Sequence, residues 1–234
     1  MTDRKNNIIT SYWLKTPELF SEKYEWSLTR LFSPTSLFLH ARRKKVIELI
    51  GKFKDKSILD VGCGSGIFML EFIKRGARVT GVDYSKRMIE FAGQLLEKYQ
   101  IEKKSYKLKI ARASKLNLKE KSFDVILATG LTDYIPLDET KKFIDQSSKL
   151  LKKNGIMIVS FPSTESPFSF LRRGLGLKIR QRLFHLPPIA STFTENEINL
   201  LLKKYGFKIE EISRIYYAMW IVKARLNNHP QRKG

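Results

Sequence analysis

Two carboxylates bracket a glycine-rich turn in this 234-residue chain. Asp60 stands near the end of the apolar run Ile58-Leu59-Asp60-Val61, and Gly62-Cys63-Gly64-Ser65-Gly66 follows at once. Asp83 closes a second apolar run that begins at Ala77. Glycines let the backbone bend sharply and bring a ligand against the main chain. The helix after such a turn offers unpaired N–H groups to that ligand. A carboxylate at the end of the next strand can accept both hydroxyls of an adenosine ribose, as in dinucleotide folds. A dinucleotide fingerprint needs glycine at position 67, where Ile67 stands, and a Walker loop needs Gly-Lys followed by Ser or Thr, which is absent. Asp60 beside the turn repels a pyrophosphate and favours a ligand that carries an ammonium or sulfonium charge.

These residues need a frame that places them at strand ends. Residues 1–51 read as a mostly helical N-terminal cap, with Val46, Ile47, Leu49 and Ile50 set among the cations Arg42, Arg43, Lys44 and Lys45. Strands are expected at Ile58–Val61, Ala77–Asp83, Tyr106–Ala113, Phe123–Ala128 and Gly155–Phe161. Helices are expected at Ile67–Lys74, at Ser85–Tyr99 with Ser85 as N-cap, and at Leu137–Leu151. Lys152-Lys153-Asn154-Gly155 reads as a turn. Thr194 and Glu197 form a capping box for a helix with Ile198, Leu200, Leu201, Leu202 and Tyr205 on its apolar side. Phe207–Ile215 and Tyr216–Ala224 read as two antiparallel strands. This alternation predicts one α/β domain, doubly wound, with a mostly parallel seven-stranded sheet, helices on both faces and an antiparallel last strand.

The run Ile58 to Gly66 resembles motif I of the class I S-adenosylmethionine-dependent methyltransferases. Gly81-Val82-Asp83-Tyr84-Ser85 resembles that family's second motif, Ser122 to Ile126 its fourth-strand motif, and Leu150 to Gly155 its turn before the fifth strand. Phe193-Thr194 through Gly206-Phe207 is similar to the segment before the last two strands in small-molecule members of the ubiquinone-biosynthesis type. The resemblance covers about Tyr24 to Ala224 and implies a Rossmann-like fold and S-adenosylmethionine as cofactor. It implies that Asp60, Gly62, Gly64 and Gly66 line the methionine half, with Cys63 a small packed residue in the same turn. It further implies that Asp83 holds the ribose, that Tyr84 and Met88 flank the adenine, and that Ala128 and Thr129 approach the methionine portion. Tyr24 matches a tyrosine that closes over the cofactor. Arg112 stands where the family often has an adenine-binding acid, which leaves the Ala113 amide or the Ser114 hydroxyl as substitutes.

Methyl transfer asks the protein mainly to align donor and acceptor and to exclude water. A base is needed only where the acceptor must first lose a proton. Asp133 and Tyr134 stand where related enzymes often carry a Glu-His pair. Asp133 is a candidate proton acceptor and Tyr134 a candidate for orienting an acceptor oxygen. The alternative reading has Asp133 capping the next helix and Tyr134 packing. His185 is a further candidate, more simply read as a surface residue. Arg42 and Arg43 are candidates for the cofactor carboxylate, more simply read as a solvated face.

The lone cysteine, Cys63, excludes an intramolecular disulfide and a cysteine metal cluster, and suits a reducing cytoplasm. His40, His185 and His229 share no metal-ligand spacing. The N-terminus does not read as a secretory signal, and no run of 18 apolar residues predicts a membrane span. Forty-four Lys and Arg against 23 Asp and Glu give a net charge of +21, which favours polyanionic partners unless it is a solvated basic background. The segment 163–190 mixes apolar residues such as Phe168, Phe170 and Leu171 with five cations and reads as a basic, lid-like, interfacial insertion. The expected acceptor is therefore a small lipophilic or anionic molecule, with peripheral contact to anionic membrane. RNA methylation and a non-catalytic binding subunit are the weaker alternatives; charge supplies affinity for nucleic acid but no chemistry.

Overall fold

The computed structural model describes residues 34–166, 178 and 188–227. After helix α1 (Pro34–Ile50), strand β1 (Ser57–Val61) enters the middle of a sheet. Helix α2 (Ile67–Lys74), strand β2 (Arg78–Asp83), helix α3 (Lys86–Lys98) and strand β3 (Tyr106–Ile110) then carry the chain outward to one edge. Strand β4 (Phe123–Ala128) returns to the other side of β1 and is followed by helix α4 (Leu137–Leu150) and strand β5 (Leu151–Pro162). Helix α5 (Glu195–Lys204) and strands β6 (Phe207–Ile215) and β7 (Met219–Leu226) complete the order β3-β2-β1-β4-β5-β7-β6. All neighbours from β3 to β5 are parallel, while β7 runs antiparallel to both β5 and β6. The chain reverses its direction of travel between β1 and β4, and open sheets of this kind bind ligands at that crevice, beyond the carboxyl ends of the strands.

Each sheet face carries its own apolar layer. Val46 and Leu49 of α1, Met69 and Phe72 of α2 and Leu96 of α3 pack on one face. Phe143 and Ile144 of α4 pack on the other with Ile198 and Leu202 of α5. The spacing explains the helices: Met88, Ala92 and Leu96 recur every fourth residue and form the buried side of α3. Ser85 caps that helix, its hydroxyl accepting from the Met88 N–H, and Thr194 and Glu197 form the complete capping box of α5. No helix among the described residues is long and apolar enough to cross a membrane.

Four local expectations need correction. β3 stops at Ile110, because Ala111 N–H makes a last contact with the Asp83 carbonyl and Lys115 N–H then closes a turn onto Arg112. Lys152-Lys153-Asn154 is a bulge inside β5, not a turn before it: Phe123 pairs with Leu151 and Val125 already pairs with Ile156. β7 begins at Met219, since Tyr216 and Tyr217 take up the hairpin link at φ 47° and 55°. Leu200 points outward at 62% exposure, so α5 buries a narrower stripe than its sequence suggests.

Candidate functional site

The carboxyl ends of β1, β2 and β4 bring the two acids and the glycine turn together. Gly62 and Cys63 both donate their N–H groups to the Val82 carbonyl, at 2.7 and 3.1 Å, which folds the turn back over β2. Asp83 locks it there. One of its oxygens accepts from Gly64 N–H at 2.9 Å and the other from Ser85 N–H at 2.9 Å. Burial raises the Asp83 pKa above the usual carboxylate range, against the pull of the amides of Ser85, Gly64 and Tyr84.

The turn's glycines serve different ends. Gly66, at φ 82°, sits against α3: a Cβ there would lie 3.0 Å from Ala92 Cβ and 3.1 Å from its Cα. Gly64, at φ 54°, faces open space, and a Cβ there would meet nothing within 4 Å. The first lets the head of α2 pack against α3; the second leaves bare backbone facing open space. Gly66 is the N-cap of helix α2 and offers no side-chain cap, so the first amides of the helix face the turn.

Asp60 is 2% exposed, and its Oδ2 has no hydrogen-bond partner among the described residues. Burial, then the charge of Asp83, pushes its pKa up to about 7, while Arg42 pulls it down. A buried carboxylate in that state is poised for a cationic, N–H-bearing ligand. Arg42 itself is 4% exposed, and its Nη1 would lie 3.1 Å from a Cβ built on Gly130. It thus reaches from α1 to the β1–β4 crevice, and the solvated-face reading holds for neither arginine in full: Arg43 is half-buried against Glu71 at 2.8 Å. The signal was helical spacing, since Arg42, Val46, Leu49 and Ile50 share one face of α1.

Cys63 is buried in the core, where burial raises its thiol pKa well above the ordinary value. Its Sγ and the Met69 Sδ fill the space a side chain at Gly81 would take. Its side chain is part of the core packing. Met88 is likewise 2% exposed. Tyr84 is exposed at the end of β2, with the Arg112 guanidinium 4.5 Å from its ring centre. Ala113 is buried, and its carbonyl accepts from Gln146. The Ser114 hydroxyl donates to Glu139 at 3.4 Å.

Ala128, the last residue of β4, is buried, and Thr129 after it is half-buried. Gly130 N–H donates to the Ser160 hydroxyl at 2.8 Å and the Thr132 hydroxyl to the Ser160 carbonyl at 2.6 Å. This clamp from β5 had no sequence signal. It holds the segment carrying Asp133, 8% exposed, and half-buried Tyr134. The Asp133 carbonyl accepts from Ala190 N–H at 2.7 Å. Pro136, not Asp133, occupies the N-cap position of α4. Tyr24, His185 and the apolar residues 168–177 lie outside the described residues. No group of three His, Cys, Asp or Glu side chains among the described residues could hold a metal ion.

A family described as "Methyltransferase domain" matches residues 52–206. The chain is 36% identical over 159 residues to a ubiquinone biosynthesis O-methyltransferase of Pelagibacter ubique, covering 62% of this chain and 63% of that protein. It is 30% identical over 113 residues to human EEF1A lysine methyltransferase 2, covering 45% and 47%. The chain thus spans less than two thirds of these curated relatives. Among solved structures it is similar to magnesium protoporphyrin IX methyltransferase from Synechocystis with bound SAH, with a TM-score of 0.71 at 19% identity, covering 95% of this chain and all of that one. At that identity the likeness is one of fold.

Proposed function

The chain belongs to the class I S-adenosylmethionine-dependent methyltransferases, and from that premise we propose that it methylates an oxygen or carbon of a small lipophilic or anionic acceptor. The observation that carries this reading is the buried Asp60 oxygen without a partner beside the open backbone of Gly64. That pair suits an amino-acid ammonium and not a phosphate. S-adenosylmethionine supplies a methyl carbon already activated on a sulfonium sulfur.

In this reading Asp60 takes the ammonium of the methionine half, and Arg42 pairs with its carboxylate. Gly62, Cys63, Gly64 and Gly66 line that half with backbone, and Ala128 and Thr129 close its far side. Asp83 accepts the ribose hydroxyls. Tyr84 and Met88 flank the base, with Ala113 and Ser114 at its edge, and Tyr24 covers the whole. Asp133 removes the acceptor proton and Tyr134 orients the acceptor oxygen. The relative named for ubiquinone biosynthesis supports a small acceptor.

The test is transfer of a labelled methyl group to cell extract separated into small molecules, lipid, protein and RNA. Label in the small-molecule or lipid fraction is expected. Label confined to protein, as the lysine methyltransferase relative would have it, or confined to RNA, overturns the acceptor class. Flotation with liposomes containing anionic lipid tests the membrane contact, and absence of binding removes that part.

A further inference from the structure

The sheet order puts the glycine turn at β1, Asp83 at β2 and β3 beside it. A ribose held by Asp83 would direct its base past β2, toward the end of β3. The exocyclic amine of adenine donates two hydrogen bonds and needs an acceptor there. Arg112 occupies the first position of the β3 turn outside the strand ladder's last contact, and a guanidinium has five donors and no acceptor. The Arg112 side chain therefore cannot receive the amine.

A carboxylate is nonetheless held at this rim from another element. Glu139, in the first turn of α4, lies 3.6 Å from the Arg112 guanidinium through one oxygen and accepts from the Ser114 hydroxyl at 3.4 Å through the other. Its side chain is 29% exposed, so it stands at the rim with lone pairs to spare. Arg112 also reaches the Tyr84 hydroxyl at 3.4 Å while its guanidinium lies over the Tyr84 ring. One cation thus ties together the acid from α4 and the aromatic ring that follows β2.

Resting on the function proposed above, we propose that Glu139 is the acceptor for the adenine amine, and that Arg112 positions it. The acid is supplied by α4 instead of by the β3 turn, and Arg112 is the strut that makes the exchange workable. The ligand class is a 6-aminopurine nucleoside; a purine without the amine loses this contact.

The test compares S-adenosylhomocysteine with its analogue lacking the 6-amino group, by calorimetry on the full chain. The wild-type protein is expected to prefer the amino form by roughly tenfold to a hundredfold, the range for a charge-assisted hydrogen bond. Glu139→Ala is expected to bring that ratio close to one, and Arg112→Met to lower it in part. The ratio is read on one protein sample, so partial unfolding cancels. A Glu139→Ala variant that keeps the wild-type ratio overturns the proposal while leaving the functional reading intact. A wild-type protein that binds S-adenosylhomocysteine without preferring it to the analogue also overturns it. A wild-type protein that binds neither ligand overturns both.

Discussion

The Asp83 carboxylate spans two backbones, accepting from Gly64 N–H in the glycine turn and from Ser85 N–H at the head of α3. The same acid proposed to hold the ribose also fixes the turn proposed to line the methionine half. Its removal should therefore act on stability and binding together. Asp83→Ala leaves two amides without acceptors and should lower unfolding stability by about 1–3 kcal/mol. It should also weaken S-adenosylhomocysteine binding by more than tenfold. Urea unfolding and calorimetry on the same sample check both effects. Asp83→Asn, which keeps one oxygen acceptor, should recover part of the stability and little of the affinity.

Gly64 and Gly66 should separate where Asp83 does not. Alanine at Gly66 drives a Cβ into Ala92 at 3.0 Å on a backbone at φ 82°. Both strain and overpacking apply, and a loss of about 2–4 kcal/mol is expected. Alanine at Gly64 meets open space at φ 54° and should cost about 1 kcal/mol. Its methyl group would nevertheless project into the space assigned to the cofactor. Gly64→Ala should thus melt within a few degrees of wild type yet bind S-adenosylhomocysteine at least tenfold more weakly. Thermal melts and calorimetry distinguish the two variants.

Asp60 predicts a pH dependence with a defined sign. Its folded pKa of about 7 lies above the ordinary value of 3.8, because it is buried and faces Asp83. As pH rises from about 4 to 7 the unfolded chain gives up this proton first. The ligand-free protein should lose stability across that window, by an amount on the order of 4 kcal/mol from this group alone. Ligand binding runs the other way, since an ammonium against Asp60 favours the carboxylate. Affinity for S-adenosylhomocysteine should rise with pH, approaching tenfold per unit below pH 7, with one proton released on binding. Calorimetry in buffers of different ionisation enthalpy counts that proton. Asp60→Asn should flatten the affinity profile, and Arg42→Met should move its midpoint upward.

Local pattern carried the frame because its causes are local. The fourfold spacing of Met88, Ala92 and Leu96 dictates one buried helix side, and Ser85 and Thr194 cap helices through bonds three residues long. The glycine turn and its two acids could be read for the same reason. What escaped depends on contacts between distant segments. Ser160 acquires meaning only because β5 lies beside β4, where its hydroxyl meets Gly130. Glu139 reads as an ordinary first-turn acid until α4 brings it to Ser114 and Arg112. The hairpin at Tyr216 and Tyr217 misled because two bulky residues at positive φ are disfavoured locally, and aromatic residues favour strands.

Asp133 and Tyr134 carry the last prediction, because the proposed proton transfer rests on them. Asp133 is buried beside a segment clamped by Ser160, with its carbonyl held by Ala190, so an isosteric amide should leave the backbone in place. Asp133→Asn cannot take a proton. It should lower kcat by about 10²–10⁴-fold, the usual range for a lost general base. S-adenosylhomocysteine affinity should stay within about twofold, since the side chain is assigned to the acceptor and not to the cofactor. The acidic limb of the pH–rate profile should vanish in the same variant. Tyr134→Phe should instead raise KM for the acceptor more than it lowers kcat, because an orienting hydroxyl acts in the ground state and the transition state alike. An Asp133→Asn enzyme with the wild-type kcat and acidic limb would mean that the acceptor arrives already ionised, or is methylated at an atom bearing no proton. The role of the site would then be alignment alone.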